Sequence, residues 1–247
     1  MISPVRLETR YDPSGLYLEA TGFAPAPRWT AGFTTRLAGG DPLRILHALG
    51  WDRMPVFQPR QVHGNRVLAV RDANESASFP READGLATAC RGVVLMVAAA
   101  DCVPLILFDP RREAGAVLHA GWRGTRSRIA REGVRILVEQ WGCQLADLKA
   151  LVGPCIGPCC YEVGREVVES FEAAGHPVRE IASAEGESFH LDLPAANQRV
   201  LENAGMHRES VLSLGLCTRC RADLFPSYRR EGPAAGRLLA FLGSAPP

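Results

Sequence analysis

The sequence predicts a single α/β domain in which strands and helices alternate along the whole chain of 247 residues. Short runs rich in Val, Ile and Leu, which favour strands, alternate with longer amphipathic segments, which favour helices. No repeat, low-complexity segment or interdomain linker interrupts this alternation. Residues 1–247 are therefore predicted to form one domain of the α/β (α+β) class.

The first predicted elements are a β-hairpin and a helix. "VRLETRYDPSGLYLEA" alternates apolar and polar residues around the turn sequence Asp-Pro-Ser-Gly. "GFTTRLAGG" is predicted to be a glycine-bounded loop, and "DPLRILHALG" a helix capped by Asp and stopped by Gly. Three apolar runs follow, "VVLMVAAA", "PLILFD" and "GAVLHAGW", which are too short for helices and are predicted to be central strands.

The second half of the chain continues the alternation. "TRSRIAREGVRILVEQWG" places Ala130, Val134, Leu137 and Trp141 on one face, which predicts a helix that covers one side of a sheet. Two more helices are predicted at "GREVVESFEAAG" and "PAANQRVLENAG". Strands are predicted at "LKALVGP", "FHLDL", "ESVLSLG" and "GRLLAFLG".

Charge and hydropathy exclude two classes of partner. The formal charge of +1 gives no broad basic field, so nucleic acid is not an expected partner. The longest apolar stretch, residues 93–108, contains Asp101 and Pro104 and is too short to span a bilayer. The N-terminus has no secretion-signal pattern. We therefore expect a cytoplasmic protein that acts on a small molecule.

Three reactive side chains, those of His63, Cys102 and His119, lie at the ends of predicted elements. Together they could hold a catalytic zinc, which takes three protein ligands and one water. Alternatively, Cys102 is a nucleophile assisted by a His and oriented by Asp101, a carboxylate that needs a partner in this apolar run. They could also be packing residues. Separations of 39 and 17 residues match no known metal signature, so all three interpretations stay open.

Four arginines and five further cysteines have two interpretations each. The arginines lie in glycine-bearing loops or at a helix start, where they could bind phosphate or carboxylate or be solvated surface charges. They are Arg36, Arg123, Arg229 and Arg230. Asp84 in "READGLAT" is predicted to be a turn residue. A structural zinc is one interpretation of the cysteines, but in a reducing compartment we expect no metal and no obligatory disulfide. These are Cys155, Cys159, Cys160, Cys217 and Cys220.

Six blocks in the sequence resemble the laccase-domain family, once called multi-copper polyphenol oxidoreductases. They are "QVHGNRV", "ADGLAT", "ADCVPLILFDP", "HAGWRGT", "GPCIGPCCYEVG" and "SYRREG", and they extend over nearly the whole chain. The resemblance implies a fold of mixed β-sheets flanked by outer helices. It also implies a zinc site whose ligands here are His63, Cys102 and His119.

The same resemblance implies chemistry on purine nucleosides. Family members are associated with phosphorolysis of adenosine, inosine and methylthioadenosine and with adenosine deamination, so a purine nucleoside and phosphate are the expected ligands. A bacterial branch is linked to an amidase that edits peptidoglycan precursors, and a non-enzymatic purine sensor is a further alternative. Copper is not expected, because the sequence has no His-x-His pairs to hold a copper cluster. We expect a monomer or a homodimer.

Overall fold

Two six-stranded mixed sheets form the centre of the protein. The computed structural model describes residues 8–24 and 29–245. The first sheet has the order β1-β2-β3-β15-β7-β4, in which only β4 and β7 are parallel neighbours. Its strands are β1 Glu8–Tyr11, β2 Tyr17–Thr21, β3 Trp29–Thr34, β4 Val56–Phe57, β7 Val94–Ala99 and β15 Leu238–Ser244.

The second sheet has the order β14-β10-β8-β9-β6-β5, with parallel pairs at both edges and antiparallel pairs in the middle. Its strands are β5 Val67–Val70, β6 Gly85–Thr88, β8 Val103–Asp109, β9 Ala114–Ala120, β10 Lys149–Val152 and β14 Val211–Ser213. A small third sheet has the order β11-β13-β12, with β11 Glu162–Val163, β12 Ala182–Glu185 and β13 Ser188–Leu191.

Helices cover the outer faces of the two large sheets. The described residues contain α1 Pro42–Ala48, α2 Trp122–Arg126, α3 Ile129–Trp141, α4 Arg165–Ala173, α5 Val178–Ile181, α6 Leu193–Asn203 and α7 Tyr228–Glu231. Within residues 8–24 and 29–245, no helix combines the length and apolar character that a bilayer crossing requires. The predicted mixed sheets with outer helices are confirmed.

The alternation of side chains along the strands explains this layering. Val94 and Met96 pack on the α1 side of the first sheet, while Leu95 and Val97 point to the other side, where they join a core with Ile106 and Phe108 of the second sheet. On the far side of the second sheet, β8 and β9 pack against α3 and α6. Every residue of β8 and β9 is buried, as expected for central strands covered on both faces.

Most predicted elements are present, and three predictions need correction. The hairpin is confirmed within residues 8–21, and its first residues, 5–7, lie outside the described part. "GFTTRLAGG" is not entirely a loop, because Gly32–Thr34 belong to β3. Gly32 is there for close packing, since a Cβ would lie 2.6 Å from the Phe241 ring. The predicted helix from Thr125 is divided at Arg128, whose φ is 59°.

The third correction concerns the segment around His63. The sequence places His63 at the end of a predicted element, but His63 has a φ of 60° and lies in the loop between β4 and β5. The strands β5 and β6 follow this loop and were not predicted. Their parallel pairing depends on a contact between distant parts of the chain, which local patterns do not report.

Candidate active site

Cys102 lies where the chain crosses from one large sheet to the other. β7 of the first sheet ends at Ala99, and β8 of the second begins at Val103, so only three residues make the crossing. Asp101 in this crossing has a φ of 80°, a left-handed conformation that non-glycine residues adopt rarely. The tight crossing holds Cys102 at the junction of both sheets.

Two histidines lie next to Cys102. His119 is near the end of β9, opposite Pro104 of the neighbouring strand β8. His63 comes from the loop before β5, and its ring lies 4.9 Å from the His119 ring at 83°, in an edge-on arrangement. One potential ligand atom from each of His63, Cys102 and His119 lies within 4.8 Å of the others, so the group could hold a metal ion. We call these three residues the His–Cys–His cluster.

The carboxylate of Asp84 holds this cluster together. It is fully buried and accepts a hydrogen bond of 2.9 Å from Nδ1 of His119. It also accepts hydrogen bonds from the backbone N–H groups of Val62, His63 and Gly64, at 3.2, 2.9 and 2.7 Å. One carboxylate thus fixes the ring of His119 and the loop that carries His63, and it leaves Nε2 of His119 free to face Cys102.

Hydrogen bonds shift the protonation of the cluster. Burial alone would raise the pKa of the Cys102 thiol, but its interactions with His119 and His63 outweigh burial and lower the pKa to about 6. Burial alone would lower the pKa of His119, whereas Asp84 and Cys102 raise it to about 9. In the absence of a metal, neutral pH therefore favours a thiolate next to an imidazolium, with the carboxylate behind it.

Gly121 provides the space that the cluster needs. It follows β9 directly, and a Cβ at this position would lie 2.9 Å from Sγ of Cys102 and 3.3 Å from Cδ2 of His63. The backbone at Gly121, with φ −68° and ψ 174°, would accept any residue. The reason for glycine here is the close approach of the cluster.

Asp101 has different partners from those the sequence suggested. It accepts hydrogen bonds from Oγ1 of Thr218 at 2.6 Å, Oγ of Ser227 at 3.1 Å and the backbone N–H of Arg229 at 2.6 Å. Its carboxylate therefore fastens the segment that carries Arg229 to the crossing between the sheets. The carboxylate that contacts a histidine of the cluster is that of Asp84, which the sequence predicts to be a turn residue.

The His–Cys–His cluster opens into a cleft of about 570 Å³. This volume lies in the usual range of small-molecule sites. Its lining includes the apolar segment Ala98–Ala100, the aromatic residues Tyr161 and Tyr228 and the cations Arg229 and Arg237. Gln61 is fixed by two hydrogen bonds to the backbone of Ala98, at 2.7 and 2.8 Å.

A family model described as "Multi-copper polyphenol oxidoreductase laccase" matches residues 42–245. The chain belongs to this laccase-domain family. Adenosine deaminase RL5 from an unknown prokaryotic organism is 38% identical over 215 residues, which cover 81% of each chain. Purine nucleoside phosphorylase YlmD from Bacillus subtilis is 35% identical over 193 residues, which cover 74% of this chain and 68% of that protein.

A solved structure shows the same fold. The crystal structure of the hypothetical protein YfiH from Bacillus licheniformis matches with a TM-score of 0.86 at 28% identity. The match covers 96% of this chain and 98% of that chain. The laccase-domain fold therefore extends over almost the entire described chain.

The four arginines named in the sequence analysis have different surroundings in this laccase-domain chain. Arg229 lines the cleft, with its guanidinium 5.2 Å from the Tyr161 ring centre. The guanidinium of Arg123 lies 4.4 Å from the Trp122 ring centre. Arg36 and Arg230 donate to backbone carbonyls, both to that of Phe225, and both pair with Glu231. These contacts hold the Arg36 and Arg230 side chains, and neither residue lines the cleft. A phosphate contact of Arg36, Arg123 or Arg230 stays a prediction.

The sequence patterns did not indicate Asp84 or, in the lining of the cleft, Gln61, Tyr161, Tyr228 and Arg237. A signal for Asp84 was available: it is an acidic residue directly before an apolar run, inside the "ADGLAT" block that resembles the family. A carboxylate at the start of a buried strand needs hydrogen-bond donors, as Asp101 does. Arg237 gave no such signal, because only the fold brings the start of β15 to the cleft.

Proposed function

We propose that this chain is a zinc-dependent enzyme of purine nucleosides, which catalyses phosphorolysis of adenosine, inosine and methylthioadenosine and deamination of adenosine. In phosphorolysis, a phosphate oxygen forms a bond to C1′ of ribose while the glycosidic bond breaks and the purine leaves with a proton. In deamination, a water oxygen bonds to C6 of adenine and ammonia leaves. A cytoplasmic location and a monomeric or homodimeric state stay predictions.

The donor set of the His–Cys–His cluster supports zinc. One thiolate and two imidazoles are common zinc ligands, and three protein ligands leave one position open. A copper cluster needs more histidines, and the metal-binding groups among the described residues contain only His63 and His119. A zinc ion held there would lower the pKa of a bound water toward neutrality and stabilise developing negative charge.

Residues of the chain prepare the cluster and bind the substrate. Asp84 keeps the proton of His119 on Nδ1, so that Nε2 is available as a ligand. Burial, followed by the nearby charge of Cys102, raises the pKa of Tyr161 to about 12, so its hydroxyl keeps its proton and can donate a hydrogen bond to the substrate. Tyr161 and Tyr228 can pack on a purine, and Arg229 and Arg237 can attract phosphate.

The observation that carries this proposal is the His–Cys–His cluster, held by Asp84, at the cleft. Relatives named as an adenosine deaminase and a purine nucleoside phosphorylase support the proposed substrate class. The test is mass spectrometry of products after zinc-loaded protein is incubated with adenosine, with and without phosphate.

We expect inosine without phosphate, and adenine with ribose 1-phosphate when phosphate is added. His119→Ala should abolish both activities, whereas His207→Ala, a change at an exposed histidine far along the chain, should keep them. Binding of adenosine without any product would contradict the proposal and favour a purine sensor.

A second candidate function is an amidase that edits peptidoglycan precursors. It is favoured by the arrangement of three side chains, in which His119 lies between Cys102 and Asp84. This arrangement resembles the nucleophile, base and orienting acid of cysteine hydrolases. In that case Sγ of Cys102 would form a bond to the amide carbon, the C–N bond would break, and the amine would leave with a proton from His119, which gives an acyl-enzyme. An acyl adduct on Cys102, trapped with a muramyl peptide precursor in the metal-free protein, would support this function over nucleoside chemistry.

A further inference from the structure

Two turns bring four of the remaining cysteines together at the surface. Cys159 and Cys160 lie in a turn in which the N–H of Cys160 donates to the carbonyl of Gly157 at 3.0 Å. Cys217 and Cys220 lie in a second turn, in which the N–H of Arg221 donates to the carbonyl of Cys217 at 3.0 Å. The four Sγ atoms all lie within 4.8 Å of one another. We call them the four-cysteine cluster.

The spacing of the sulfurs fits a shared metal ion. Sγ of Cys220 lies 3.7 Å from that of Cys159 and 3.4 Å from that of Cys160. Four thiolates around a tetrahedral zinc, each with a Zn–S bond of about 2.3 Å, lie about 3.8 Å apart. A disulfide needs two sulfurs at about 2.05 Å, which is shorter than either of these distances. The observed arrangement therefore has the geometry of a ligand set.

The chemistry of the four-cysteine cluster is that of a structural site. All four donors are sulfurs, so a bound zinc would have no position left for water or substrate. The backbone N–H of Gly157 also points to Sγ of Cys217 at 3.3 Å, a contact that stabilises a thiolate ligand. Soft thiolate donors select zinc over Mg²⁺ or Ca²⁺.

The two turns are also connected to the active-site wall. Cys155 and Cys217 form a parallel β-bridge, and the N–H of Thr218 donates to the carbonyl of Cys155 at 2.9 Å. Oγ1 of Thr218 in turn donates to the carboxylate of Asp101. The backbone carbonyl of Asp101 accepts a hydrogen bond from the N–H of Ile156 at 2.9 Å. An ion that joins the turns would thus stabilise the wall formed by the crossing between the sheets and by Tyr161.

We propose that Cys159, Cys160, Cys217 and Cys220 bind one structural zinc ion that fastens the two turns together. This replaces the metal-free thiols that the sequence analysis predicts. The sequence contains one C-x-x-C pair, Cys217 and Cys220, and no second pair with the spacing of a zinc site. The adjacent Cys159 and Cys160 come close to this pair only in the folded protein. The proposal is independent of the reaction at the His–Cys–His cluster.

The test is the number of zinc ions per chain, measured by elemental analysis of protein loaded with zinc and then freed of excess metal. We expect two ions in the wild type, one in Cys220→Ser, one in Cys102→Ala and none in the double variant. Cys90→Ser changes a half-buried thiol outside both clusters and should keep two. Cys220→Ser should also lower the thermal midpoint by at least about 5 °C.

Cobalt gives a second measurement on the intact wild type, in case Cys220→Ser does not fold. The charge-transfer absorption of thiolate-bound Co²⁺ grows with the number of thiolates, so the four-cysteine cluster should contribute most of the band. The proposal is overturned by one zinc per wild-type chain that is lost in Cys102→Ala, by a cobalt band that one thiolate explains, or by a disulfide among the four cysteines in zinc-loaded protein.

Discussion

The His–Cys–His cluster and the four-cysteine cluster differ in what holds them in place. The first is built from the end of β9, the crossing between β7 and β8 and the loop before β5. Its buried Asp84 fixes both the ring of His119 and the loop of His63. The second is built from two surface turns, and its members Cys159 and Cys220 are exposed. The protein alone therefore fixes the geometry of the first cluster, whereas the geometry of the second depends on a metal ion that joins the two turns.

This difference assigns a catalytic role to a metal at the first cluster and a stabilising role to a metal at the second. A site that is fixed by buried hydrogen bonds keeps its geometry when the metal leaves and can leave a ligand position open for chemistry. A site that joins surface turns uses all its donors and gives its binding free energy to the fold. Loss of metal should thus cost activity at the first cluster and stability at the second.

The largest expected effect is at Cys102. Cys102→Ala removes a ligand and the thiolate, so we expect a loss of activity of about 10³-fold or more together with the loss of one zinc. The thermal midpoint should stay close to that of the wild type, because the new side chain fits the same space. Steady-state kinetics, metal analysis and thermal unfolding on the same sample check this. A variant that kept its zinc and lost only activity would favour a nucleophilic Cys102.

A smaller effect is expected at Asp84. Asp84→Asn presents an amide N–H₂ to the backbone donors of the His63 loop and weakens the hold on His119. We expect zinc affinity or turnover to fall about 10- to 100-fold, the range found when a partner of a metal ligand is lost. Competition with a chelator measures the affinity. Asp223→Asn, at an exposed ion pair with Arg221, is the control. Equal losses in both variants would contradict the role assigned to Asp84.

Crowding at Gly121 should lower turnover by about tenfold. In Gly121→Ala the new Cβ meets Sγ of Cys102 at 2.9 Å and must displace it or His63. Turnover should fall while the four-cysteine cluster keeps its zinc. Gly236→Ala is the matched control, since its Cβ meets nothing closer than 3.8 Å. Unchanged kinetics in Gly121→Ala would show that the cluster tolerates displacement and is not fixed by the protein.

The smallest expected difference is in thiol reactivity of the metal-free protein. Because His119 and His63 lower the pKa of Cys102, alkylation by iodoacetamide should rise up to about pH 6 and then level off. Cys220 has a raised pKa, so its rate should keep increasing in the alkaline range. At pH 7 the advantage of Cys102 over an ordinary thiol is only about fourfold, because a low pKa also reduces nucleophilicity. Peptide mapping gives both profiles, and a midpoint near pH 9 for Cys102 would contradict the thiolate assignment.

The sequence predicted elements better than contacts. The helix at Pro42–Ala48 and the strands that flank Cys102 follow from local caps and apolar runs, and the structure has them. The structure also brings together His63, Cys102 and His119, although His63 lies in a loop and not at the end of an element. Asp84 carries a local signal, since it is a carboxylate directly before an apolar run, but its partner His119 is 35 residues away. Arg237 carries no local signal, because only the fold brings it to the cleft. The same limit hid the four-cysteine cluster, whose halves are separated by about 60 residues.

The most direct test of the account is a zinc titration of metal-free Cys220→Ser, followed by turnover of adenosine at each step. This variant keeps the His–Cys–His cluster as its complete metal site. The account predicts no turnover without metal, a linear rise up to one zinc per chain and no further increase beyond it. Full turnover in the metal-free variant, or a rise that continues past one equivalent, would contradict a catalytic metal at His63, Cys102 and His119.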